Sequence, residues 1–364
     1  MYKRQVEWGP VRIYLNQQGK LVESSETCGT AGRLGWWNGI TAGDFDRDGD
    51  MDYIASNLGQ NTKYHASIKK PSRIYFGRFG ENETPSIIET KTTADCELPV
   101  RGKSCSQHAM PHLSNKFPTY HEFALAELTD IYTPDEIDSA EKFEVNELNS
   151  CILWNDGAGH FSFEPLPWMA QVAPSFGVVS LDANADGWRD VFLAHNFFTP
   201  QRETGRMAGG LGTLLLGNES GEFTSQWPHQ SGIAIPQDAK GVVIGDFNDD
   251  LKPDLAVAIN DQTPAFLLNR STAFPHLVLE LEGNKGNRQA VGAWVEVWTQ
   301  DGQVQVLESH AGGGYLSQST ARLHAGLGDQ KVEKILVRWP NGTTQEFPPP
   351  TSTAAPVLLK QAGE

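Results

Sequence analysis

The sequence predicts an all-β protein: a partial β-propeller of about four blades, one irregular and carrying a helical insertion, followed by a small C-terminal β-domain. Three observations predict it. An Asp-rich nine-residue loop occurs three times, each time between two short apolar runs of strand character. A strand–turn–strand signature stands at a nearly constant distance before each loop. The 36 glycines and 21 prolines suit a chain that turns often, as all-β proteins do.

The loops are Asp44-Phe45-Asp46-Arg47-Asp48-Gly49-Asp50-Met51-Asp52, Asp182-Ala183-Asn184-Ala185-Asp186-Gly187-Trp188-Arg189-Asp190 and Asp246-Phe247-Asn248-Asp249-Asp250-Leu251-Lys252-Pro253-Asp254. Each has Asp or Asn at positions 1, 3, 5 and 9. The runs after them, Tyr53–Ser56, Val191–His195 and Leu255–Ile259, each end at an asparagine: Asn57, Asn196 and Asn260.

The turn signature is Leu15–Leu21, Trp154–Phe161 and Leu216–Phe223. From its glycine (Gly19, Gly159, Gly221) to the first loop aspartate the distance is 25, 23 and 25 residues. Two independent features held in register define a unit read as hairpin, strand, acidic loop, strand. Units of this size suggest propeller blades, which bury their faces only against neighbours. The first and second loops start 138 residues apart, leaving room for one further unit whose hairpin is Arg73–Gly80 and whose acidic loop is absent. About four blades favour an open arc over a closed ring.

Blades are expected over 1–90 and 151–273, with the irregular blade and insertion over 91–150. In the insertion, Phe123, Ala124, Leu128 and Ile131 fall at helical spacing. Thr133-Pro134-Asp135-Glu136 reads as a helix start. The C-terminal domain spans 274–347, with alternation in Leu277–Leu281 and Ala293–Trp298 and a hairpin turn at Asn341-Gly342. The Gly312–Ser319 loop reads as a tight Gly-rich connection. Pro348–Pro350 opens a Pro-rich tail, 348–364.

A loop with acids at 1, 3, 5 and 9 can wrap a hard cation such as Ca2+, which takes six to eight oxygens. Position 7 adds a backbone carbonyl, from Asp50, Trp188 or Lys252. Glycine at position 6 permits the positive φ that closes the loop. The candidate ligands are therefore Asp44, Asp46, Asp48, Asp50 and Asp52; Asp182, Asn184, Asp186, Trp188 and Asp190; Asp246, Asn248, Asp250, Lys252 and Asp254, for up to three ions. An EF-hand is excluded: it needs Glu at position 12, which is Ala55, Leu193 and Val257 here, and helical flanks. The first loop has four acids and Gly49, whereas the third has Asn248 and Leu251, so affinity is expected to fall from first to third. The ten aspartates at positions 1, 3, 5 and 9 are a large part of a formal net charge of −16. Left bare, they would repel one another.

That negative charge excludes nucleic acid as a partner, because phosphate binding needs a basic face. Cys28, Cys96, Cys105 and Cys151 form no CxxC, which argues against a thiolate zinc site. They fit either disulfides in an oxidising compartment or unlinked thiols. No apolar run reaches the length of a membrane span. No secretory signal is visible, and the chain opens inside a repeat, so an N-terminal portion is expected to be missing. No P-loop, dinucleotide fingerprint or nucleophile elbow is present. His108 and His112 stand four apart, but Pro111 lies between them.

On these residues the loops resemble the FG-GAP/VCBS repeats of calcium-binding propellers. The segment from about Phe274 to Phe347 resembles the ASPIC/UnbV domain. It does so through His276–Gly283, Asn287–Ala293, Gly312–Ser319, His324–Gly328 and Val337–Gly342. Val100–Gln107 and Lys116–Tyr120 resemble the insertion of a bacterial FG-GAP/ASPIC subgroup similar to cartilage acidic protein. The resemblance implies an extracellular or bacterial outer-surface protein. Its partner would be a surface glycan or protein ligand, and it would have no catalytic site. Two other readings stand beside this adhesion or recognition module: a non-catalytic scaffold segment of a larger surface protein, and a glycan-acting hydrolase with its site in the insertion, at His121 and Glu122.

Overall fold

The computed structural model describes residues 2–4, 7–80, 84–93, 96–202 and 204–363. Strand dominates, and helix is confined to short segments. The chain divides into two compact units, 1–37 with 62–148, and 38–61 with 149–364.

The first unit holds a four-stranded sheet in the order Glu97–Pro99, Ser86–Thr92, Ser72–Gly77, Glu141–Val145. This is the irregular blade, and it lacks an acidic loop. Five short helices cover it, and their apolar residues Met110, Leu113, Phe123, Leu128 and Ile131 pack with Tyr75, Phe79 and Ile88 of the sheet region. The helical spacing at 123–131 is realised as two helices, Tyr120–Leu125 and Leu128–Ile131. Each is closed by a capping box, at Thr119/Glu122 and at Glu127/Asp130. Thr133/Glu136 forms the expected capping box with Pro134 in the first turn. The hairpin Arg12–Gln17/Lys20–Glu23 lies in this unit, paired to Tyr2–Arg4.

The second unit carries all three acidic loops. Its first blade runs Ile40–Gly43, Asp52–Ala55, Cys151–Asn155, Phe161–Pro165 from inner to outer edge. The second runs Ser175–Leu181, Asp190–His195, Thr213–Leu216, Thr224–Gln226. The third runs Ala239–Gly245, Asp254–Ile259, Ala265–Leu267. In each, the acidic loop joins the innermost strand to the second. The strand after the loop is wholly buried in the first two blades, which is why it reads as a continuous apolar run.

The phase of the repeat differs from the expected unit. The first two loops share their sheets with the hairpin that follows, not the one that precedes: Cys151–Asn155 pairs with Asp52–Ala55 and Thr213–Leu216 with Asp190–His195, while the third is followed by the single strand Ala265–Leu267. A repeating sequence has no marked beginning, so spacing alone cannot choose the phase; the antiparallel ladder does.

Glycine lets the blades approach closely. A Cβ on Gly177 would meet Lys240 O at 2.4 Å, and one on Gly39 would meet Phe176 O at 2.3 Å.

The C-terminal part holds two sheets over one core of Leu277, Leu279, Val295, Val297, Ile335, Val337 and Trp339. Trp294–Thr299 alternates as expected. Leu277–Leu279 is buried throughout, because His276–Glu282 is a central strand between Leu323–Gly326 and Val357–Lys360. Val357–Lys360, within the stretch read as a Pro-rich tail, therefore belongs to the sheet. The Gly312–Ser319 connection is tight, as expected, and it also docks on the blades. Gly314 N donates to Ile40 O (2.9 Å), Thr320 N donates to Ile244 O (2.9 Å), and Tyr315 packs edge-on against Phe176.

Candidate metal centre

The three loops have one backbone conformation. Position 4 is left-handed in each (Arg47 φ 61°, Ala185 φ 61°, Asp249 φ 57°), and so is position 6 (Gly49 φ 96°, Gly187 φ 91°, Leu251 φ 68°). Gly49 and Gly187 adopt this freely. Leu251 adopts it at a cost of roughly 1–2 kcal/mol.

Position 9 does the same work three times. One carboxylate oxygen accepts the backbone N–H of position 2, closing the loop: Asp52 from Phe45 (3.2 Å), Asp190 from Ala183 (2.7 Å), Asp254 from Phe247 (2.9 Å). The other accepts an N–H from the next strand out: Asn155 (2.8 Å), Gly217 (3.0 Å) and Asn269 (2.7 Å). The same pair of bonds therefore ties each acidic loop to the next strand of its own sheet.

Positions 3 and 5 each spend one oxygen on the backbone two residues on. Asp48 accepts from Asp50 N (2.8 Å), Asp186 from Trp188 N (2.8 Å) and Asp250 from Lys252 N (3.0 Å). In the second and third loops the position-3 amide donates to the position-5 carboxylate, Asn184 to Asp186 (2.8 Å) and Asn248 to Asp250 (3.2 Å). In the first loop this position is Asp46, a carboxylate facing a carboxylate.

Position 1 separates the loops. Asp44 is 3% exposed, and neither of its oxygens makes a full hydrogen bond, although the backbone N–H groups of Arg47 and Gly49 face it. Asp182 is equally buried; one oxygen accepts from Gly187 N (2.8 Å) and the other has no partner. Asp246 is half-buried, and its oxygens accept from Asp250 N (3.1 Å) and Leu251 N (2.9 Å).

Burial, then the Asp48 and Asp46 charges, push the Asp44 pKa up to about 7. Burial, then Asp186, does the same for Asp182. Burial alone leads for Asp52, also raised to about 7. Oxygens of Asp44, Asp46 and Asp48 lie within 4.8 Å of one another. A buried carboxylate with no partner beside two others is costly. Its donor set is what a hard cation takes, so the residues fit such an ion.

Two arginines that the motif reading passed over stand between the first and second loops. Arg47 stacks 3.9 Å over the Trp188 ring, donates to Gly187 O (3.1 Å) and reaches Gln303 Oε1 of the C-terminal part. Arg189 faces Asp182, Asp44 and Asp190. Nothing in a single sequence marks either one, since both are variable positions of the loop. Asp50 turns its carboxylate toward the Gly157 turn. Lys252 brings its ammonium to 3.9 Å from Asp250, where it competes with any cation in the third loop.

The hydrolase residues are exposed on a short helix. The Glu122 carboxylate accepts from Thr119 N (2.9 Å), a capping role. All four cysteines are unlinked. Among the described residues no helix is long and apolar enough to cross a membrane.

The FG-GAP-like repeat family matches residues 6–55 and 182–257, and the ASPIC and UnbV family matches 283–363. No curated protein matches the chain. The crystal structure of the V. cholerae biofilm matrix protein Bap1 aligns with 97% of this chain and 60% of that one, at 11% identity and a TM-score of 0.21. A likeness that low carries no argument. The acidic loops fall in the first two matches and the Gly-rich domain in the last: the chain is an all-β protein of FG-GAP-like repeats with a C-terminal ASPIC/UnbV domain.

Proposed function

We propose that this chain is a calcium-binding recognition module, working outside the cell or on a bacterial outer surface and doing no chemistry of its own. The observation that carries it is Asp44, a buried carboxylate without a full hydrogen bond to either oxygen, converging with Asp46 and Asp48. The first loop would hold Ca2+ through Asp44, Asp46, Asp48 and the Asp50 carbonyl. The second would use Asp182, Asn184, Asp186 and the Trp188 carbonyl. The third would use Asp246, Asn248, Asp250 and the Lys252 carbonyl. Asp52, Asp190 and Asp254 lock the loops and have a lone pair left per oxygen. The ion would be structural, tying inner strand to second strand and stabilising the folded state by mass action.

For the partner, a groove of about 490 Å3 beside the first loop favours a glycan. It is lined by Asp46, Asp48, Trp188, Glu296, Trp298 and Gln303. Asp46 and Asp48 serve the ion and Arg47 covers Trp188, so the Trp298 face would stack on the sugar ring, with Glu296 and the Gln303 amide beside it for the hydroxyls.

Isothermal titration of chelator-stripped protein tests the metal. The expected result is saturable Ca2+ binding at two to three sites, lost at one site in Asp44→Asn, with Mg2+ weaker. No heat above dilution would end the reading. A glycan array probed in Ca2+ and in EDTA tests the partner. Calcium-dependent binding lost in Trp298→Ala supports the groove, and binding unchanged in that variant removes it.

A further inference from the structure

In the second unit the inner strands of the three blades and the C-terminal domain enclose a pocket of about 100 Å3. Its walls include Ser180 of the second blade, Arg189 at the end of the second loop, Ile244 of the third blade, and His324 with the Gly312–Gly314 run. The polar groups here are left over by the fold. His324 is 7% exposed, and neither ring nitrogen makes a full hydrogen bond, although the Leu251 backbone faces it. Ser180 Oγ is buried without one. Arg189 makes no hydrogen bond, and no ion pair within 4 Å, among the described residues. One carboxylate, Glu308, also lines the pocket.

A guanidinium, a hydroxyl and a neutral imidazole are a donor-rich set. Arg189 is half-buried; Ser180 and His324 hold the buried polar atoms without a full hydrogen bond, of a kind that is rare and costs about 1–3 kcal/mol each until satisfied. The volume admits several waters or one small group. The planar fork of Arg suits an oxyanion. Arg189 also faces Asp44 and Asp182, the buried first aspartates of two loops. Cations in those loops would cancel these charges and leave the guanidinium to the pocket.

We propose that this pocket binds an oxyanion, a carboxylate or sulfate, through Arg189, Ser180 and His324, and binds it more tightly when the first two loops are loaded. Only that calcium dependence rests on the function proposed above. The coupling is reciprocal: the anion raises calcium affinity by the same factor.

The full chain is titrated calorimetrically with sodium sulfate, sodium glucuronate and a glucuronate-containing oligosaccharide, with sodium chloride at matched ionic strength as the control. Each titration is run in calcium and in EDTA, and calcium is titrated into the same preparations. The expected result is saturable binding of at least one oxyanion, tightened at least fivefold by calcium. It should weaken at least tenfold in Arg189→Gln and several-fold in Ser180→Ala, a change too small to threaten folding. Tighter binding of the oligosaccharide than of free glucuronate identifies a glycan-borne group; sulfate or glucuronate alone identifies a free anion. Binding no stronger than chloride, or unchanged in both variants, overturns the pocket even if calcium binds. Oxyanion binding without calcium binding would keep the pocket and remove its calcium dependence.

Discussion

The first and third acidic loops share a backbone and differ in what their first aspartate has to do. Asp246 is half-buried and satisfied by two N–H groups of its own loop, so the third loop is complete without an ion. Asp44 is buried, and the Arg47 and Gly49 N–H groups that face it fall short of full hydrogen bonds. The template is common to both; the demand for a cation is set by burial and by how many local donors reach position 1. The second loop stands between them, with one Asp182 oxygen satisfied and one not.

The largest test of that difference is removal of the ion. If the first two sites sit at a hundredfold over Kd, they contribute about 5 kcal/mol together, roughly 10–20 °C in Tm. A melt in EDTA should lose this and calcium should restore it; an unchanged midpoint would mean the loops do not depend on metal.

Asp44→Asn then separates a metal site from a merely buried acid. Without calcium the variant should be more stable than wild type by about 2 kcal/mol at pH 8, because it removes an uncompensated buried charge. With calcium it should be less stable. Asp246→Asn should show no such reversal. A variant less stable under both conditions would assign Asp44 a purely structural role.

A core group of the second blade provides the control that calcium should not touch. His195 is fully buried between Ser175 Oγ (2.9 Å) and Thr213 Oγ1 (2.8 Å), and burial lowers its pKa to about 4. The folded state therefore holds fewer protons than the unfolded between pH 6.5 and 4. Stability from this group is complete above pH 6.5 and is lost as pH falls through that window, by up to about 3 kcal/mol. Denaturant melts of His195→Gln against pH should be flatter there, with or without calcium. A slope equal to wild type would place the acid sensitivity elsewhere.

Leu251→Gly should relieve the positive φ and raise stability by about 1 kcal/mol, moving the third loop toward the first. The gain should appear equally in EDTA and calcium if strain is the cause. The smallest effect is expected from Lys252→Gln, a few tenths of a kcal/mol in third-site calcium affinity, since the pair with Asp250 is long and partly exposed. A loss of affinity would show that Lys252 positions the loop rather than competing with its ion.

The motif was legible because the chemistry is local. Asp at positions 1, 3 and 5 makes its own turns with the backbone two residues on, and position 6 needs a positive φ whatever surrounds it. The capping box at Thr133/Glu136 was legible for the same reason. Less legible was the helix at 123–131, where the apolar spacing is continuous but Ala126 leaves the helical region and divides it. The role of position 9 was half legible. The acid is visible, but its second bond, to Asn155, comes from 103 residues away.

By itself the sequence determined the all-β class, the three loop conformations, the turns and caps, and the presence of an ASPIC/UnbV domain, because each depends on neighbours within about a dozen residues or on an ordered motif. The tertiary structure decided the phase of the blades, the return of 357–360 as a strand, and the docking of the Gly-rich connection on the inner strands. It also decided that Asp44 and Asp182 are buried while Asp246 is half-buried, and that Arg189, Ser180 and His324 line one pocket. Those outcomes depend on strand pairing and burial between residues tens to hundreds apart, which spacing along one chain does not encode.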